Sequence, residues 1–405
     1  MNWSYFIASR LSFGKNKSFT RLIIRLAQAG VALSVATMII AVATVTGYQK
    51  EIARKVTGFG GHIIINNTGT SGSFDYTLFR DSAALVKKLL ANKQIKSIDG
   101  VLSRPAITKA NDELEGIILK GVGKNANLDF FKESLIKGKM PAFPDSVSAR
   151  EVLISEYLSN RLNIKTGDKI RLYFILEPVR VLPVKVSGIY KTGFEENDKL
   201  YVIGDIRDMQ RIFGNRQPVI THYEVEVNDI KELKPVTAKL QDELDENLTA
   251  RDMMSLNPQI FQWLNYLNDN INIILGLMVI VACINMITAL LILIIERTNM
   301  IGVLKALGAP DLPVKKVFIY HILWIMGAGL LFGNLLGIGI CLSQYYGEWF
   351  TLPQETYYLS VVPVNLEWSY ILAINAGTMF ICLMSLLLPA TLVSRITPVK
   401  AIRFD

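Results

Sequence analysis

Four long apolar runs that contain no Lys, Arg, Asp or Glu constrain this chain more than any other feature. They cover residues 26–48, 271–295, 317–343 and 368–393. A bilayer core of about 30 Å is crossed by roughly 20 helical residues. Buried helices of soluble proteins are rarely free of charge over such lengths. The runs therefore predict four membrane-spanning helices.

The composition indicates that only part of the chain is embedded. Hydrophobic residues make up 51% of the 405 residues and charged residues 19%, below the roughly 25% typical of soluble domains. This excludes an ordinary soluble enzyme, and the apolar content also excludes disorder. Residues 49–270 hold most of the charge in near balance, so they are predicted to fold as a separate domain.

The basic residues of the short segments predict the orientation of the spans. Lys and Arg occur in residues 1–25, 296–316 and 394–405, whereas residues 344–366 contain none. The positive-inside rule then places both termini and the loop 296–316 in the cytoplasm, and residues 49–270 outside it. The net charge of +8 is therefore a signal of topology, and no nucleic-acid partner is predicted.

The predicted fold is membrane α-helical, with four transmembrane helices and a large extracytoplasmic mixed α/β domain inserted between helices 1 and 2. β-Branched runs predict strands at 62–66 and 115–122, and helical periodicity marks 81–92. Aromatic and basic residues in 2–20 predict a helix on the membrane surface; an extension of the first span is the alternative.

The chain is predicted to divide into three parts. They are 1–48 (surface helix and first span), 49–270 (domain) and 271–405. The last part is divided into the second span (271–295), a loop (296–316), the third span (317–343), a loop (344–366), the fourth span (367–393) and a tail (394–405).

No motif predicts catalysis, a cofactor or a metal. The chain has no GxxxxGK[ST] and no GxSxG, and its three histidines are far apart. The cysteines Cys283, Cys341 and Cys382 lie within apolar runs, which excludes a disulfide framework. The acids Glu195, Glu196 and Asp198 are interpreted as a solvated loop. Any ATP-dependent work must then be driven by another chain.

The loop after the second span, ERTNMIGVLKALGAPDLPVKKVF, carries the clearest functional signal. Ile301, Leu304 and Leu307 recur at three-residue intervals and predict a short helix with an apolar stripe. Gly308 and Pro310 end it. Such a helix between two spans is suited to docking into a groove of a partner; a solvated loop is the alternative.

The segment ERTNMIGVLKALGA closely resembles the coupling-helix motif of the FtsX/MacB-type permeases of ABC transporters. The order of one span, a large domain and three spans extends the resemblance to the whole chain. Within that superfamily, YFIASR (5–10), ETYYLSVVPVNLEW (355–368) and LLPATLVSRITPVKAIR (387–403) resemble the lipoprotein-releasing LolC/LolE branch.

The resemblance implies a non-catalytic, multi-pass subunit of the bacterial inner membrane. It implies a separate LolD-like ATPase that binds ATP and Mg, and a second permease subunit in a homo- or heterodimer. The complex would extract lipoproteins from the outer leaflet and pass them to a LolA-like periplasmic carrier. The residues implied as coupling contacts are Arg297, Met300, Ile301, Leu304, Lys305, Leu307 and Gly308.

The family analogy also implies an apolar cavity for the lipid at the dimer interface, lined by the first and second spans. Ordinary lipid-facing or helix-packing surface is the alternative for its candidate residues, which are Val35, Met38, Ile39, Val42, Ile274 and Met278. A hairpin that could grip the carrier is implied at Glu177, Pro178 and Arg180, with an ordinary hairpin as the alternative.

Small and polar residues in the spans predict contacts between helices. Gly329, Gly333 and Gly337 share one face of the third span and predict close packing, more within the chain than between subunits. Asn285, Asn334 and Asn375 are predicted to form hydrogen bonds between helices.

Two other functions stay open from the sequence. One is a MacB-like permease for efflux of peptides or drugs, and a neighbouring gene for a periplasmic adaptor would favour it. The other is an FtsX-like mechanotransmitter that regulates a cell-wall hydrolase, although residues 49–270 are longer than such regulators usually have.

Overall fold

The structure is a computed structural model that describes residues 18–69, 77–110, 113–144, 147–213 and 218–391. The predicted tail at 394–405 and nearly all of the predicted surface helix lie outside these ranges. The helices are α1 (Ser18–Gly60), α2 (Ala83–Leu89), α3 (Asp129–Glu133), α4 (Glu156–Arg161), α5 (Glu195–Asp198), α6 (Ile206–Ile212), α7 (Leu233–Glu243), α8 (Met253–Leu256), α9 (Pro258–Glu296), α10 (Thr298–Ala306), α11 (Asp311–Gly347), α12 (Gln354–Tyr357) and α13 (Trp368–Ala390). The strands are β1 (Ile63–Asn67), β2 (Phe79–Arg80), β3 (Ile95–Ala110), β4 (Glu113–Val122), β5 (Leu135–Gly138), β6 (Glu151–Ser155), β7 (Lys169–Phe174), β8 (Arg180–Tyr190), β9 (Tyr201–Asp205), β10 (Val219–Ile220), β11 (His222–Val227) and β12 (Leu248–Asp252).

The chain divides into two compact units. The membrane unit contains Met1–Lys50, Trp263–Thr351 and Val361–Asp405. The α/β unit contains Glu51–Gln262 and also Leu352–Ser360. This last segment, called the strap below, lies in the sequence between α11 and α13. The α/β unit is therefore built from more of the chain than the insertion between the first two spans.

Helices α1, α9, α11 and α13 are long and apolar enough to cross a membrane, which confirms the four predicted spans. Three of them exceed the predicted limits, and α1 continues from residue 48 to Gly60. The added segment, about three turns long, contains Lys50, Glu51, Arg54 and Lys55. Lys, Glu and Arg are good helix formers, so the helix continues where the hydropathy falls.

The three glycines of α11 lie directly against α1. A Cβ atom at Gly333 would be 2.8 Å from the Ala32 carbonyl oxygen and 2.9 Å from the Val35 Cβ. A Cβ atom at Gly337 would be 3.1 Å from the Ile39 Cβ. The two backbones thus approach closely through small residues, the usual way in which membrane helices gain packing contacts.

Polar side chains connect the other helices of the membrane unit. Asn334 on α11 and Asn375 on α13 donate to each other's side-chain oxygens at 2.7 and 2.9 Å. The sulfur atoms of Cys283 on α9 and Cys382 on α13 are 3.7 Å apart. Asn285 on α9 lies against Gly30 of α1, where a Cβ atom would clash with its amide. Each helix is therefore fixed by contacts with at least one neighbour.

The α/β unit is organised around β3, whose two halves belong to two different layers. The first half continues the antiparallel order β12, β1, β11, β3. The second half joins a ring of six strands, β3, β4, β9, β6, β8 and β7, that returns to β3. A closed ring leaves its members without a free edge. Separate apolar cores fill the ring and the space between the open layer and helices α2 and α7.

The close contact between α1 and α11 gives a stability prediction with an internal control. Gly333→Leu should destabilise the membrane unit by about 1–3 kcal/mol, because the new side chain would overlap Ala32 and Val35. Gly339→Leu should be neutral, since a Cβ atom at Gly339 meets nothing within 4 Å. Thermal unfolding of the full-length chain in detergent measures both, and equal melting temperatures would contradict the packing described.

Candidate functional site

Helix α10 is a short helix held between two membrane helices. Gly308, with φ +87°, ends it in the left-handed conformation that favours glycine, and its N–H donates to the Lys305 carbonyl at 3.0 Å. The Lys305 ammonium lies 2.9 Å from the Asp311 carboxylate at the start of α11. The end of α10 is thus joined by an ion pair to the start of the next helix.

The apolar residues that α10 exposes are not the ones that the sequence predicted. Ile301 is fully buried in the core of the membrane unit, which removes it from the surface available to a partner. The exposed apolar residues are Val303 and Leu307, which are 50% and 80% exposed. The three-residue spacing pointed to Ile301 because α10 has apolar residues on several faces. The spacing alone does not show which of these faces packs against the membrane unit and which stays exposed. Among the remaining candidates, Gly308 is exposed and the partly buried ones are Arg297, Met300, Leu304 and Lys305.

The candidates for a lipid cavity on α1 are buried within the chain. Val35 and Ile39 lie against the glycines of α11, and Met38 and Val42 are also buried. These four side chains are therefore packed inside the chain and do not line an open cavity in it. Of the two candidates on α9, Ile274 is exposed and Met278 is half-buried.

A different apolar stripe on α9 is open. Ile273, Leu277, Ile280 and Ile284 follow helical spacing, and each is more than half exposed. The sequence contained this signal as a run of large side chains at positions 273, 277, 280 and 284. It could not be separated from the buried faces of α9, because nearly every residue from 273 to 295 is apolar.

The predicted carrier hairpin is formed by β7 and β8. Glu177 and Pro178 lie in its exposed turn, joined by a cis peptide bond. The neighbouring Ile175 and Val179 are also exposed. Arg180 donates through its guanidinium to the Ile212 carbonyl, so it anchors β8 where the strand leaves the turn. The turn itself presents the apolar side chains of Ile175 and Val179 beside the charged Glu177.

The last turn of α1 is fastened to the sheet of the α/β unit by a buried lysine. The Lys120 ammonium on β4 donates to the Phe59 carbonyl and lies 2.8 Å from the Glu224 carboxylate on β11. Its side chain is only 4% exposed. The Phe59 ring packs against aromatic side chains of the same unit, namely Phe130, Phe131, Tyr190, Phe194 and Tyr201. A positive charge at the carbonyl end of a helix is also favourable for its dipole.

Carboxylates crowd the strands beside this lysine. Asp99 on β3 is directly opposite Glu224 on β11, an unfavourable pairing of like charges. Burial, with repulsion from Glu224 and Glu226, raises the pKa of Asp99 to about 6. Burial alone would raise the pKa of Glu224, but Lys120 and His222 outweigh it, so the pKa lies below its ordinary value. Glu224 thus stays charged and paired, whereas Asp99 is the strained member.

The acidic turn at 195–198 is only partly the solvated loop that the sequence indicated. Asp198 is buried and accepts hydrogen bonds from the Thr192 hydroxyl at 2.7 Å and the Gly193 N–H at 3.1 Å. It therefore stabilises a backbone turn. Across the ranges described above, no cluster of three or more His, Cys, Asp or Glu residues is arranged to hold a metal ion.

Comparison with known families agrees with this architecture. Residues 26–243 match the MacB-like periplasmic core domain, and residues 272–398 match the FtsX-like permease C-terminal domain. The chain belongs to the FtsX/MacB-type permeases. Helices α10 to α13 and the part of α9 from residue 272 fall within the FtsX-like match.

Curated relatives of this FtsX/MacB-type permease align with it almost end to end. The lipoprotein-releasing system transmembrane protein LolE of Haemophilus influenzae is 23% identical, over 99% of each chain. The lipoprotein-releasing system transmembrane protein LolC of Xylella fastidiosa (strain Temecula1) is 21% identical, over 93% of this chain and 92% of its own. Among solved structures, the periplasmic region of MacB from Actinobacillus actinomycetemcomitans matches with a TM-score of 0.35 and 15% identity, over 51% of this chain and 95% of that one.

The Asp99 carboxyl gives this permease a measurable pH dependence. Its folded pKa of about 6 exceeds the roughly 3.9 of an unfolded Asp, so its ionisation destabilises the fold above pH 6 and is relieved as the pH falls toward 4. Asp99→Asn should stabilise the full-length chain at pH 7.5 by about 1 kcal/mol, allowing for partial exposure. It should also flatten the change in melting temperature between pH 4 and pH 6.

The control is Asp242→Asn on the exposed face of α7, which should leave both the melting temperature and its pH dependence unchanged. Melting of the detergent-solubilised chain, followed by fluorescence from pH 4 to pH 8, makes the comparison. A lower stability of Asp99→Asn at pH 7.5 would show that the carboxylate is favourable in the fold and would contradict the prediction.

Proposed function

We propose that this permease is the membrane subunit of an ATP-driven complex that extracts lipoproteins from the inner membrane and passes them to a periplasmic carrier. The observation that carries the proposal is end-to-end similarity to proteins named LolE and LolC. Similarity restricted to the FtsX-like region would support only a generic permease, because MacB-type and FtsX-type chains share that region.

The physical demand of this reaction fits a machine driven by ATP. Each methylene group of an acyl chain gains about 0.8 kcal/mol in the bilayer, so withdrawal of several acyl chains is strongly unfavourable without a coupled reaction. The extraction intermediate needs an apolar surface that replaces the lipid. The exposed stripe Ile273, Leu277, Ile280 and Ile284 on α9 supplies such a surface, with Ile274 beside it.

Energy would enter through α10. Its exposed residues Val303 and Leu307 form an apolar pair that can dock into a groove of a separate ATPase subunit. The contact between Lys305 and Asp311 would carry the movement into α11. In this arrangement α10 and both termini face the cytoplasm and the α/β unit faces the periplasm. ATP and Mg would be bound by the ATPase, and a second permease subunit would complete the complex.

Release of a lipoprotein from spheroplasts tests the proposed function. Spheroplasts that contain the chain, an ATPase partner and a soluble carrier should release a mature lipoprotein into the medium only when ATP is available. Depletion of the chain should leave the lipoprotein in the inner membrane. Normal lipoprotein export in a depleted strain would overturn the proposal, and ATP-dependent loss of a peptide or drug instead would favour an efflux permease.

A pair of variants on α10 tests the docking surface. Leu307→Asp should lower ATP-dependent release by about ten-fold or more, because burial of an unpaired charge in an apolar groove costs at least about 1.4 kcal/mol. The chain itself should stay folded, since Leu307 is exposed. Release and complex formation with the ATPase are measured in the same preparation.

Asn299→Asp is the matched control, because it adds the same charge to an exposed position of the same helix. An acid in the first turn of a helix is favourable, so this variant should release lipoprotein normally. Equal loss in the two variants would indicate that added charge, rather than a lost apolar contact, causes the defect, and would contradict apolar docking at Leu307.

A further inference from the structure

Lys55 on α1 hydrogen-bonds to two backbone carbonyls that are remote from it in the sequence. Its ammonium donates to the Thr192 carbonyl at 2.5 Å and to the Tyr358 carbonyl at 3.0 Å. All three residues belong to the α/β unit. Hydrogen bonds from a charged donor are roughly twice as strong as neutral ones. One side chain therefore holds together α1, the turn after β8 and the strap.

The turn at Thr192 is also held by hydrogen bonds that do not involve Lys55. Asp198 accepts hydrogen bonds from the N–H of Thr192, the hydroxyl of Thr192 and the N–H of Gly193. The Phe194 N–H donates to the same hydroxyl at 3.1 Å. Four hydrogen bonds thus fix the turn, and the Thr192 carbonyl is held toward Lys55.

The strap lies directly on this turn. Gly193 has φ +77°, in the left-handed region that favours glycine. A Cβ atom there would overlap the side-chain ends of Gln354 and Lys55, so another residue would displace both. On the other side of the turn, the Phe194 ring is 5.1 Å from the Tyr358 ring.

Tyr358 takes an unfavourable backbone conformation to make its contact with Lys55. Its φ is +59°, in the left-handed region that residues other than glycine rarely adopt. Such residues persist where the surroundings hold them and are concentrated at functional positions. The conformation ends α12 and leaves the Tyr358 carbonyl as the acceptor of the Lys55 hydrogen bond.

We propose that Lys55 is a positioning residue that latches the strap and the Gly193 turn to α1, so that displacements of α1, α11 and α13 reach the α/β unit together. The strap is bounded in the sequence by α11 and α13, and Lys55 lies on the continuation of α1. The inference rests on the proposed function for its role in transport. The latch itself is a property of the α/β unit and can be tested separately.

Hydrogen exchange of the full-length chain in detergent tests the latch without reference to transport. Lys55→Met keeps the length of the side chain and removes its donors. Amides of the strap and of the Gly193 turn should then exchange about ten-fold faster or more, whereas amides of the six-stranded ring should not change. Lys55→Arg should retain protection, and Lys50→Met, at an exposed position of the same helix, should behave as wild type.

Two results would overturn the latch. One is unchanged exchange of the strap in Lys55→Met, and the other is faster exchange throughout the ring, which would mean that Lys55 serves general stability. Tyr358→Ala is a second variant that removes the ring contact with Phe194 and keeps Lys55. It should also release the strap, and its failure to do so would count against the proposal in the same way.

Coupling is measured in the assembled complex with its ATPase. Lys55→Met should hydrolyse ATP at the wild-type rate and release about ten-fold less lipoprotein per ATP, while Lys50→Met should match wild type. If the wild-type complex and the Lys55→Met complex release equal amounts of lipoprotein per ATP, the latch has no role in transport and the proposed function stands. If wild type releases no lipoprotein, the proposed function fails, and the exchange experiment still decides whether the latch exists.

Discussion

The close approach of α11 to α1 is the contact on which the rest of the membrane unit depends. Three glycines at four-residue spacing bring the two backbones together, and α1 consequently buries Val35, Met38 and Ile39 almost completely. In lipid no hydrophobic force drives helices together, so shape complementarity of this kind is a main source of their association. This face of α1 is therefore closed to a ligand or a partner, whereas α9 keeps an exposed apolar stripe and α11 and α13 also carry exposed apolar side chains.

The α/β unit gains rigidity from its strand connections and from one desolvated ion pair. The ring of six strands has no edge that could slip or open, and β3 continues from it into the layer that receives the end of α1. Lys120 then connects the last carbonyls of α1 to Glu224. Loss of one member of such a pair leaves a buried charge and costs about 3–5 kcal/mol, whereas the intact pair is worth much less. The ion pair between Lys120 and Glu224 therefore contributes little net stability to the fold. Its main effect is to specify where the end of α1 is attached.

The sequence was sufficient to predict features that depend on local composition. Four charge-free runs predicted four spans, and the spacing of Gly329, Gly333 and Gly337 predicted a close-packed face. It was not sufficient where several faces of one helix are equally apolar. Such residues are chemically alike, for example Ile301 and Leu307, or Val35 and Ile273. Only packing against the rest of the chain decides which side chains are buried and which are exposed. Asp198 illustrates the opposite error, because an acid in a polar loop gives no sign that three hydrogen bonds hold it inside.

The strap adds covalent connections between the two units. A domain inserted between two helices is joined to them at its two ends only, whereas Leu352–Ser360 continues into the membrane unit at Thr351 and at Val361 as well. Helix α12 has only four residues, too few to be stable alone, so its hold depends on contacts with other segments. A charged donor that reaches two carbonyls at once is an effective contact for this purpose, since an ammonium has three donors and no acceptor. An apolar side chain at position 55 could pack there but could not fix the direction of either carbonyl.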